Sequence, residues 1–423
     1  MKLAVEVFFL ITPSGPMINQ KRLVYLITPV KLGYGFPQVL FLYDQFKNRG
    51  FLPIILCLSD LNLELKNYRQ VEIQGNTGLK QYLYLLKLCL LNNPEHVIFT
   101  TWFPLSVIKL FRPKGRYTYY QLEIEEEMHP GKNPTPKILR KVINLLAIRL
   151  TDYLLSPQED RLKLAKNKYP FCRGYYLVYN CQPLSPLKEG IIKSPVSKPT
   201  VLYSGQLTDW IEIDLLLNTI RSLYHRFKFV LVGECLDQKI LGRIYKAQKE
   251  KQLLYLGYLP NSEISQYYHQ AQIGLVLWKQ FNQTTRFSAP NKLFEYISWG
   301  LPVVSTQLYS VAKWNQLYKF GIVLAHNDTM SLKSALISLS SPRSYAAFAR
   351  HGSYLYKTQL NYEHQISQYF SYLSPFAENR GRKPGDECEE VSASEGFRSR
   401  PALPAGRRSS REKIPRSSNR RAS

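Results

Sequence analysis

Residues 286–306 read Arg-Phe-Ser-Ala-Pro-Asn-Lys-Leu-Phe-Glu-Tyr-Ile-Ser-Trp-Gly-Leu-Pro-Val-Val-Ser-Thr, and this stretch constrains the fold more than any other. Proline suits the first turn of a helix and glycine suits the position after its last turn. The pattern therefore predicts a short helix that starts at Pro290 and stops at Gly300. The β-branched run that follows is typical of a buried parallel strand. A loop, helix and strand in this order indicate an α/β protein with a parallel sheet.

The beginning of this predicted helix is a candidate anion site. Free N–H groups and the positive end of the helix dipole favour a negatively charged group there. Lys292 lies in the first turn, and Glu295 lies one turn deeper, within reach of hydroxyl groups on the molecule that carries the anion. We predict a diphosphate at Pro290, Asn291 and Lys292 and a ribose at Glu295. The alternative is an ordinary helix on which Lys292 and Glu295 form a solvated pair.

Three other segments accompany this helix in a fixed order. They are Val201–Leu217, reading VLYSGQLTDWIEIDLLL, Phe229–Glu234, reading FVLVGE, and Tyr255–Pro260, reading YLGYLP. Together with Pro290–Val304, these segments closely resemble the donor-domain motifs of GT-B glycosyltransferases, in particular the large retaining family 4. The resemblance extends over about residues 22–373.

The resemblance implies an α/β fold of GT-B architecture, with two Rossmann-like domains whose parallel sheets face a central cleft. It implies transfer of a sugar from a nucleoside diphosphate to a glycan or lipid-linked saccharide, with no metal and no other cofactor. By this resemblance, the residues expected to take part in catalysis are Lys292, Glu295 and Arg286. Its donor contacts fall on Gly205, Gln206, Glu234, Leu259, Pro290 and Asn291. For Glu234, a solvated carboxylate is an equally good interpretation.

The sequence departs from the family at three positions. The family has an arginine and a lysine where this chain has Gln206 and Ile211, and the first glutamate of its Glu-x7-Glu pair falls on Phe287. We therefore expect Lys292 and Arg286 to provide the phosphate neutralisation. A catalytically degenerate GT-B module that binds nucleotide, glycan or a partner transferase remains an alternative. A GT-B sugar epimerase is a third, which the transferase-like donor motifs disfavour.

Alternating strand and helix patterns predict the organisation of the whole chain. The predicted parts are a leader (1–20), an N-terminal Rossmann-like acceptor domain (21–185), a linker rich in Pro, Lys and Ser (186–199), a C-terminal donor-binding domain (200–341), C-terminal helices that pack back on the N-terminal domain (342–374), and a basic tail (375–423). The tail is predicted to be disordered, because its composition offers too little apolar surface to bury.

Three residues of the N-terminal half are candidates for contacts to phosphate or acceptor. Gly33 and Gly35 follow the first predicted strand but lack the spacing of a dinucleotide fingerprint, so they indicate close backbone approach or a simple turn. His129 lies in a polar loop after a predicted strand and is a candidate acceptor contact. A solvated histidine is the alternative for His129.

The net charge of the protein indicates which kinds of partner it binds. Lys and Arg number 56 against 31 Asp and Glu, which gives a net charge of +25. Such a charge attracts polyanions, and without a nucleic-acid module it favours an anionic membrane or phosphorylated substrates over nucleic acid. A predicted helix over 136–150 has a basic face that fits a membrane surface or, alternatively, points outward from its own sheet. We expect a cytoplasmic protein, peripheral at the inner face of the membrane, with reduced cysteines.

Overall fold

The computed structural model describes residues 22–28, 37–58, 67–73, 78–100, 105–111, 114–122, 145–146, 149–185, 188 and 196–373. Several sequence predictions lie outside these residues. They concern Gly33, Gly35, His129, the leader (1–20), most of the basic helix over 136–150, and the tail (375–423).

The N-terminal sheet has seven strands in the order β3-β2-β1-β4-β5-β6-β7, and its neighbouring strands run parallel. The strands are β1 (Leu23–Thr28), β2 (Leu52–Cys57), β3 (Gln70–Glu72), β4 (His96–Phe99), β5 (Arg116–Tyr120), β6 (Tyr153–Ser156) and β7 (Gly174–Leu177). The helices between them are α1 (Pro37–Asn48), α2 (Gly78–Asn92), a 3-10 helix (Leu105–Leu110) and α3 (Glu159–Lys168). The central strands are nearly continuous apolar runs because helices cover both faces.

The C-terminal sheet has six strands in the order β10-β9-β8-β11-β12-β13, also parallel. The strands are β8 (Thr200–Ser204), β9 (Lys228–Val232), β10 (Leu254–Tyr255), β11 (Ile273–Val276), β12 (Val303–Ser305) and β13 (Gly321–Val323). The helices are α4 (Ile213–Leu223), α5 (Gln238–Lys249), α6 (Asn261–Gln270), α7 (Gln283–Arg286), α8 (Asn291–Ser298), α9 (Tyr309–Tyr318), α10 (Thr329–Ser340), α11 (Pro342–Thr358) and α12 (Tyr362–Leu373).

Each sheet reverses its strand order once, between β1 and β4 in the first and between β8 and β11 in the second. Doubly wound sheets bind ligands beyond the carboxyl ends of the strands at such a reversal. The observed topology confirms the predicted α/β fold with two Rossmann-like parallel sheets. It also places the residues that follow β8 and β11 at the position where a ligand is expected.

The sequence patterns missed some short elements. Strand β3 and helix α3 were not predicted, because β3 has only three residues and α3 reads EDRLKLAKNK, which has a weak apolar face.

The last helix joins the core of the N-terminal sheet. Tyr362, Ile366 and Tyr369 of α12 are fully buried against a cluster that includes Val24 and Leu26 of β1. The chain therefore passes between the two sheets twice, once after β7 and once before α12. These two crossings touch each other, because the N–H of Tyr362 donates to the carbonyl of Gln182 over 3.1 Å.

Candidate functional site

Three glycine turns hold the carboxyl edge of the C-terminal sheet together. Gly205, Gly233 and Gly257 follow β8, β9 and β10, and each has a positive φ, of 147°, 142° and 65°. A Cβ on Gly233 would lie 1.8 Å from the carbonyl oxygen of Gly205, so only glycine fits at that position. The N–H of Gly233 also donates to the carbonyl of Gly257 over 2.7 Å. The three loops therefore form one connected rim.

A cavity of about 430 Å³ opens beside this rim. Its wall includes the predicted donor residue Glu234, together with Tyr245 of α5 and the turn Tyr255–Tyr258. Leu259, another predicted donor residue, is partly buried just after this turn and packs against the core. The size of the cavity and its mixed polar and aromatic lining suit a planar group such as a nucleobase.

Helix α8 begins at the cleft between the two sheets. Pro290 is its N-cap, and this residue makes no side-chain capping hydrogen bond. The Asn291 side-chain oxygen accepts a hydrogen bond from Gln38 of α1 over 3.0 Å, which links the two halves of the protein at this point. Asn180, beyond β7, donates to the carbonyl of Ala289 over 2.8 Å. Two residues of the N-terminal half thus bond to residues at the positive end of α8.

Lys292 and Glu295 form a half-buried ion pair rather than a solvated one. Lys292 Nζ donates to Glu295 Oε2 over 2.8 Å, and the two side chains are 29% and 16% exposed. The hydroxyl of Tyr268 in α6 also donates to Glu295 and lies 2.8 Å from the Ser204 hydroxyl at the end of β8. Burial raises the pKa of Glu295, but the charge and hydrogen bond of Lys292 outweigh it and lower the pKa overall. The carboxylate is therefore ionised near neutral pH.

Lys188 is a further cation at this cluster, and the sequence analysis did not identify it. Its ammonium lies 5.5 Å from the ring centre of Trp299, whose ring stacks on Tyr268. Burial lowers the pKa of Lys188 to about 8, and the nearby charge of Glu295 partly opposes that shift. Lys188 lies in the predicted linker, whose composition gave no sign that one of its lysines reaches the donor side.

The other positions discussed in the sequence analysis lie outside this ion-pair cluster and differ in how far they are exposed. Arg286 ends α7 and is exposed, with its guanidinium 5.2 Å from the ring centre of Tyr309. Gln206 is exposed, whereas Ile211 is 2% exposed and belongs to the core. Phe287 packs edge-on against Tyr309. The position of the missing family lysine is therefore occupied by a core residue, which offers no contact to a phosphate.

Among the described residues, the carboxyl edge of the N-terminal sheet carries buried polar side chains and one buried cation, Arg161, which donates to the carbonyl of Leu122 just beyond β5. Thr28, Thr100, Gln121 and Gln158 lie at or just beyond the ends of β1, β4, β5 and β6, and all are buried. The side-chain oxygens of Gln121 and of Asn180, beyond β7, are buried and have no hydrogen-bond partner among the described residues. Buried oxygens without a donor are costly, so they are ready acceptors for ligand hydroxyl groups.

Comparisons with known proteins show a related family over part of the sequence and a shared fold. Residues 198–341 match the family model described as glycosyl transferases group 1, which covers the whole of the C-terminal sheet. No curated protein matches the sequence significantly. The resemblance to GT-B glycosyltransferases is therefore confirmed, in sequence over this range and in fold by the structures below.

Three solved structures are similar over most of the chain. A glycosyltransferase from Rickettsia africae ESF-5 has a TM-score of 0.63 at 13% identity, over 85% of this chain and 100% of that one. Anabaena Alr3699/HepE in complex with UDP has a TM-score of 0.60 at 12% identity, over 83% and 99%. WaaG, a glycosyltransferase involved in lipopolysaccharide biosynthesis, has a TM-score of 0.60 at 13% identity, over 84% and 100%. At these identities the likeness shows the fold.

The described ranges contain no group of three or more His, Cys, Asp or Glu side chains that could hold a metal ion. None of their helices is long and apolar enough to cross a membrane. The cysteines of these ranges, Cys57, Cys89, Cys172, Cys181 and Cys235, are in no disulfide bond.

Proposed function

We propose that this protein is a retaining glycosyltransferase of the family 4 type that uses a nucleoside diphosphate sugar. The observation that carries the proposal is the arrangement at α8. An uncapped helix N-terminus and the Lys292–Glu295 pair lie at the cleft, within a sequence range that matches group 1 glycosyl transferases. A helix N-terminus with an adjacent lysine is suited to a diphosphate. The fold alone would not separate a transferase from an epimerase.

The donor would extend along the C-terminal rim. The base would occupy the cavity at Glu234 and Tyr258, the ribose hydroxyls would bond to Glu295, and the diphosphate would lie at the N-terminus of α8. Anabaena HepE was solved with UDP, which supports a uridine nucleotide as the first ligand to test. In the ligand-free protein, Tyr268 and Lys292 hold the Glu295 carboxylate ionised and in place.

Catalysis would depend on charge stabilisation of the leaving diphosphate. Negative charge grows on the diphosphate as the glycosidic bond breaks, and fixed positive groups stabilise that charge. Lys292, the α8 dipole and Lys188 are the groups in the described chain that lie at this cluster, and Arg286 would approach from α7. We propose that this set substitutes for a metal ion, so that transfer persists in EDTA.

The N-terminal edge would receive the acceptor. The partnerless oxygens of Gln121 and Asn180 would accept hydrogen bonds from sugar hydroxyl groups, for which uncharged polar side chains are well suited. We propose a growing glycan or a lipid-linked saccharide as acceptor, and WaaG, whose fold is similar, is involved in lipopolysaccharide biosynthesis. With a net charge of +25, the protein would work in the cytoplasm at an anionic membrane surface.

A thermal-shift screen with UDP, GDP and ADP tests the donor assignment. A nucleotide at 100 times its dissociation constant should stabilise the folded protein by about 2.7 kcal/mol. If none of the three stabilises it, the degenerate module becomes the better description. If one does, the protein is incubated with the sugar conjugates of that nucleotide. Analysis of the products separates transfer from epimerisation. Repeating the reaction after adding EDTA shows whether it depends on a metal ion.

The Glu295→Gln variant tests the ribose assignment. It retains the shape of the side chain but makes a weaker acceptor, so it should discriminate less than wild type between the chosen nucleotide and its 2′-deoxy form. Calorimetric titration of both proteins with both nucleotides measures this difference. Equal discrimination by wild type and variant would place the ribose elsewhere.

A further inference from the structure

Helix α2 exposes large apolar side chains on the surface of the N-terminal sheet. Its inward face is ordinary, because Leu85 and Cys89 are buried in the core. On the opposite face, however, Leu83, Leu90 and Leu91 are 54%, 51% and 57% exposed. A helix that covers a sheet normally presents polar residues to water, so this outward face is unusual.

The two lysines of α2 lie on the same outward face. Lys80 and Lys87 are exposed and precede Leu83 and Leu90 by three residues each, so lysines and leucines alternate along one stripe. The helix contains no acidic residue. Its 3-10 neighbour, which packs beside it, extends the surface with Leu110 and Phe111, both more than half exposed. We call these seven residues the lysine–leucine face.

The C-terminal sheet provides an internal comparison. Helix α6 occupies the equivalent place, since it joins the third strand of its sheet to the fourth, β10 to β11, as α2 joins β3 to β4. In the part of α6 whose side chains are described, residues 263–270, the exposed residues are all polar: Glu263, Gln266, His269 and Gln270. The fold therefore does not require leucines at these outward positions, and their presence on α2 calls for a partner that covers them.

We propose that the lysine–leucine face of α2 lies on an anionic lipid surface. Leucine and phenylalanine side chains would enter the boundary between headgroups and acyl chains, and the lysines would extend to the lipid phosphates. Charge complementarity argues for this partner, because the helix carries only positive charges and the whole chain carries +25. This inference rests on the membrane partner proposed above and assigns it a surface, in place of the predicted helix over 136–150.

Binding of the full chain to vesicles tests this assignment. The vesicles are made of phosphatidylcholine alone or of phosphatidylcholine mixed with phosphatidylglycerol, and partitioning is measured by sedimentation. Leu83→Gln/Leu90→Gln should lower the partition coefficient on anionic vesicles by roughly tenfold, because it removes apolar area that would enter the lipid. Lys80→Gln/Lys87→Gln should lower it by a similar factor, roughly tenfold or more, at low salt and by less at high salt.

Leu317→Gln/Met330→Gln is the matched control. Both residues are exposed and apolar but belong to α9 and α10 of the C-terminal sheet, so this variant should bind vesicles as wild type does. Melting temperature and nucleotide binding should be unchanged in all three double variants, which separates the lipid surface from the donor site.

The outcomes distinguish the two levels of the proposal. Wild type that binds neither kind of vesicle would overturn the membrane partner itself. Wild type that binds while the α2 variants bind equally well would overturn the surface assignment and leave the membrane partner intact. A change in oligomeric state on mutation, without any change in vesicle binding, would mean that a second copy of the chain covers this face.

Discussion

The two sheets share one strand order but differ in the chemistry at their carboxyl edges. In the C-terminal sheet the edge carries charges, with Lys292 and Lys188 around an ionised Glu295. In the described part of the N-terminal sheet the edge carries mainly buried hydroxyl and amide groups, such as Gln121, and its cation Arg161 donates to backbone carbonyls. A doubly wound sheet thus fixes where a ligand lies but leaves open which ligand it is. The difference suits an anionic donor on one side and an uncharged acceptor on the other.

The largest effect is expected from disturbing the C-terminal rim. Gly233→Ala should destabilise the protein by about 3 kcal/mol or more, because the new Cβ would overlap the Gly205 carbonyl at a positive φ. Chemical denaturation measures the loss. Gly242→Ala is the control, because Gly242 lies within α5 with no atom near its Cβ position. That substitution should stabilise by about 0.5–1 kcal/mol. Equal effects of the two substitutions would contradict a rigid rim.

Removal of the central cation should have the next largest effect. Lys292→Ala should weaken binding of the nucleoside diphosphate by about 1.5–3 kcal/mol, the value for a lost charge-assisted hydrogen bond. It should lower turnover further if the diphosphate gains charge in the transition state. Calorimetric titration measures affinity, with the exposed Lys249→Ala at the far end of α5 as control. Unchanged affinity would move the donor site away from α8.

The linker lysine should make donor binding depend on pH. The pKa of Lys188 is lowered to about 8, so its ammonium is charged at pH 7 and largely neutral at pH 9. A bound diphosphate favours the charged form, so affinity should fall by up to about tenfold between these pH values. Arginine stays charged throughout, so Lys188→Arg should give a flat profile. A wild-type profile that is already flat would show that Lys188 does not contact the anion.

The smallest effect on donor binding is expected from Gln121, at the carboxyl edge of the N-terminal sheet. Gln121→Ala removes a buried oxygen that has no partner, so stability should change by less than about 1 kcal/mol. Nucleotide affinity should match that of wild type, whereas the KM for the acceptor should rise. The measurements are the titration used for Lys292→Ala and initial rates against acceptor concentration. A loss of nucleotide affinity as large as that of Lys292→Ala would contradict the hypothesis that one edge binds the donor and the other the acceptor.

The sequence predicted the periodic parts of this protein well. The segment around Glu295 predicted a helix and strand that the structure contains, because proline, glycine and β-branched residues act locally. Contacts between distant segments could not be predicted from spacing. Lys188 is 107 positions from Glu295 along the chain, and nothing in the spacing of residues indicates that it lies beside Trp299. The burial of Ile211 likewise depends on the core around it.

Helix α12 has a consequence for the order of folding during synthesis. The strands of the N-terminal sheet leave the ribosome first, but the core beneath them is incomplete without Tyr362, Ile366 and Tyr369. All strands and helices of the C-terminal sheet, from Thr200 to Ser340, are made before those three side chains appear. Domains usually fold in the order of their synthesis. Here one face of the half that is made first lacks these three core side chains until the half made second is complete.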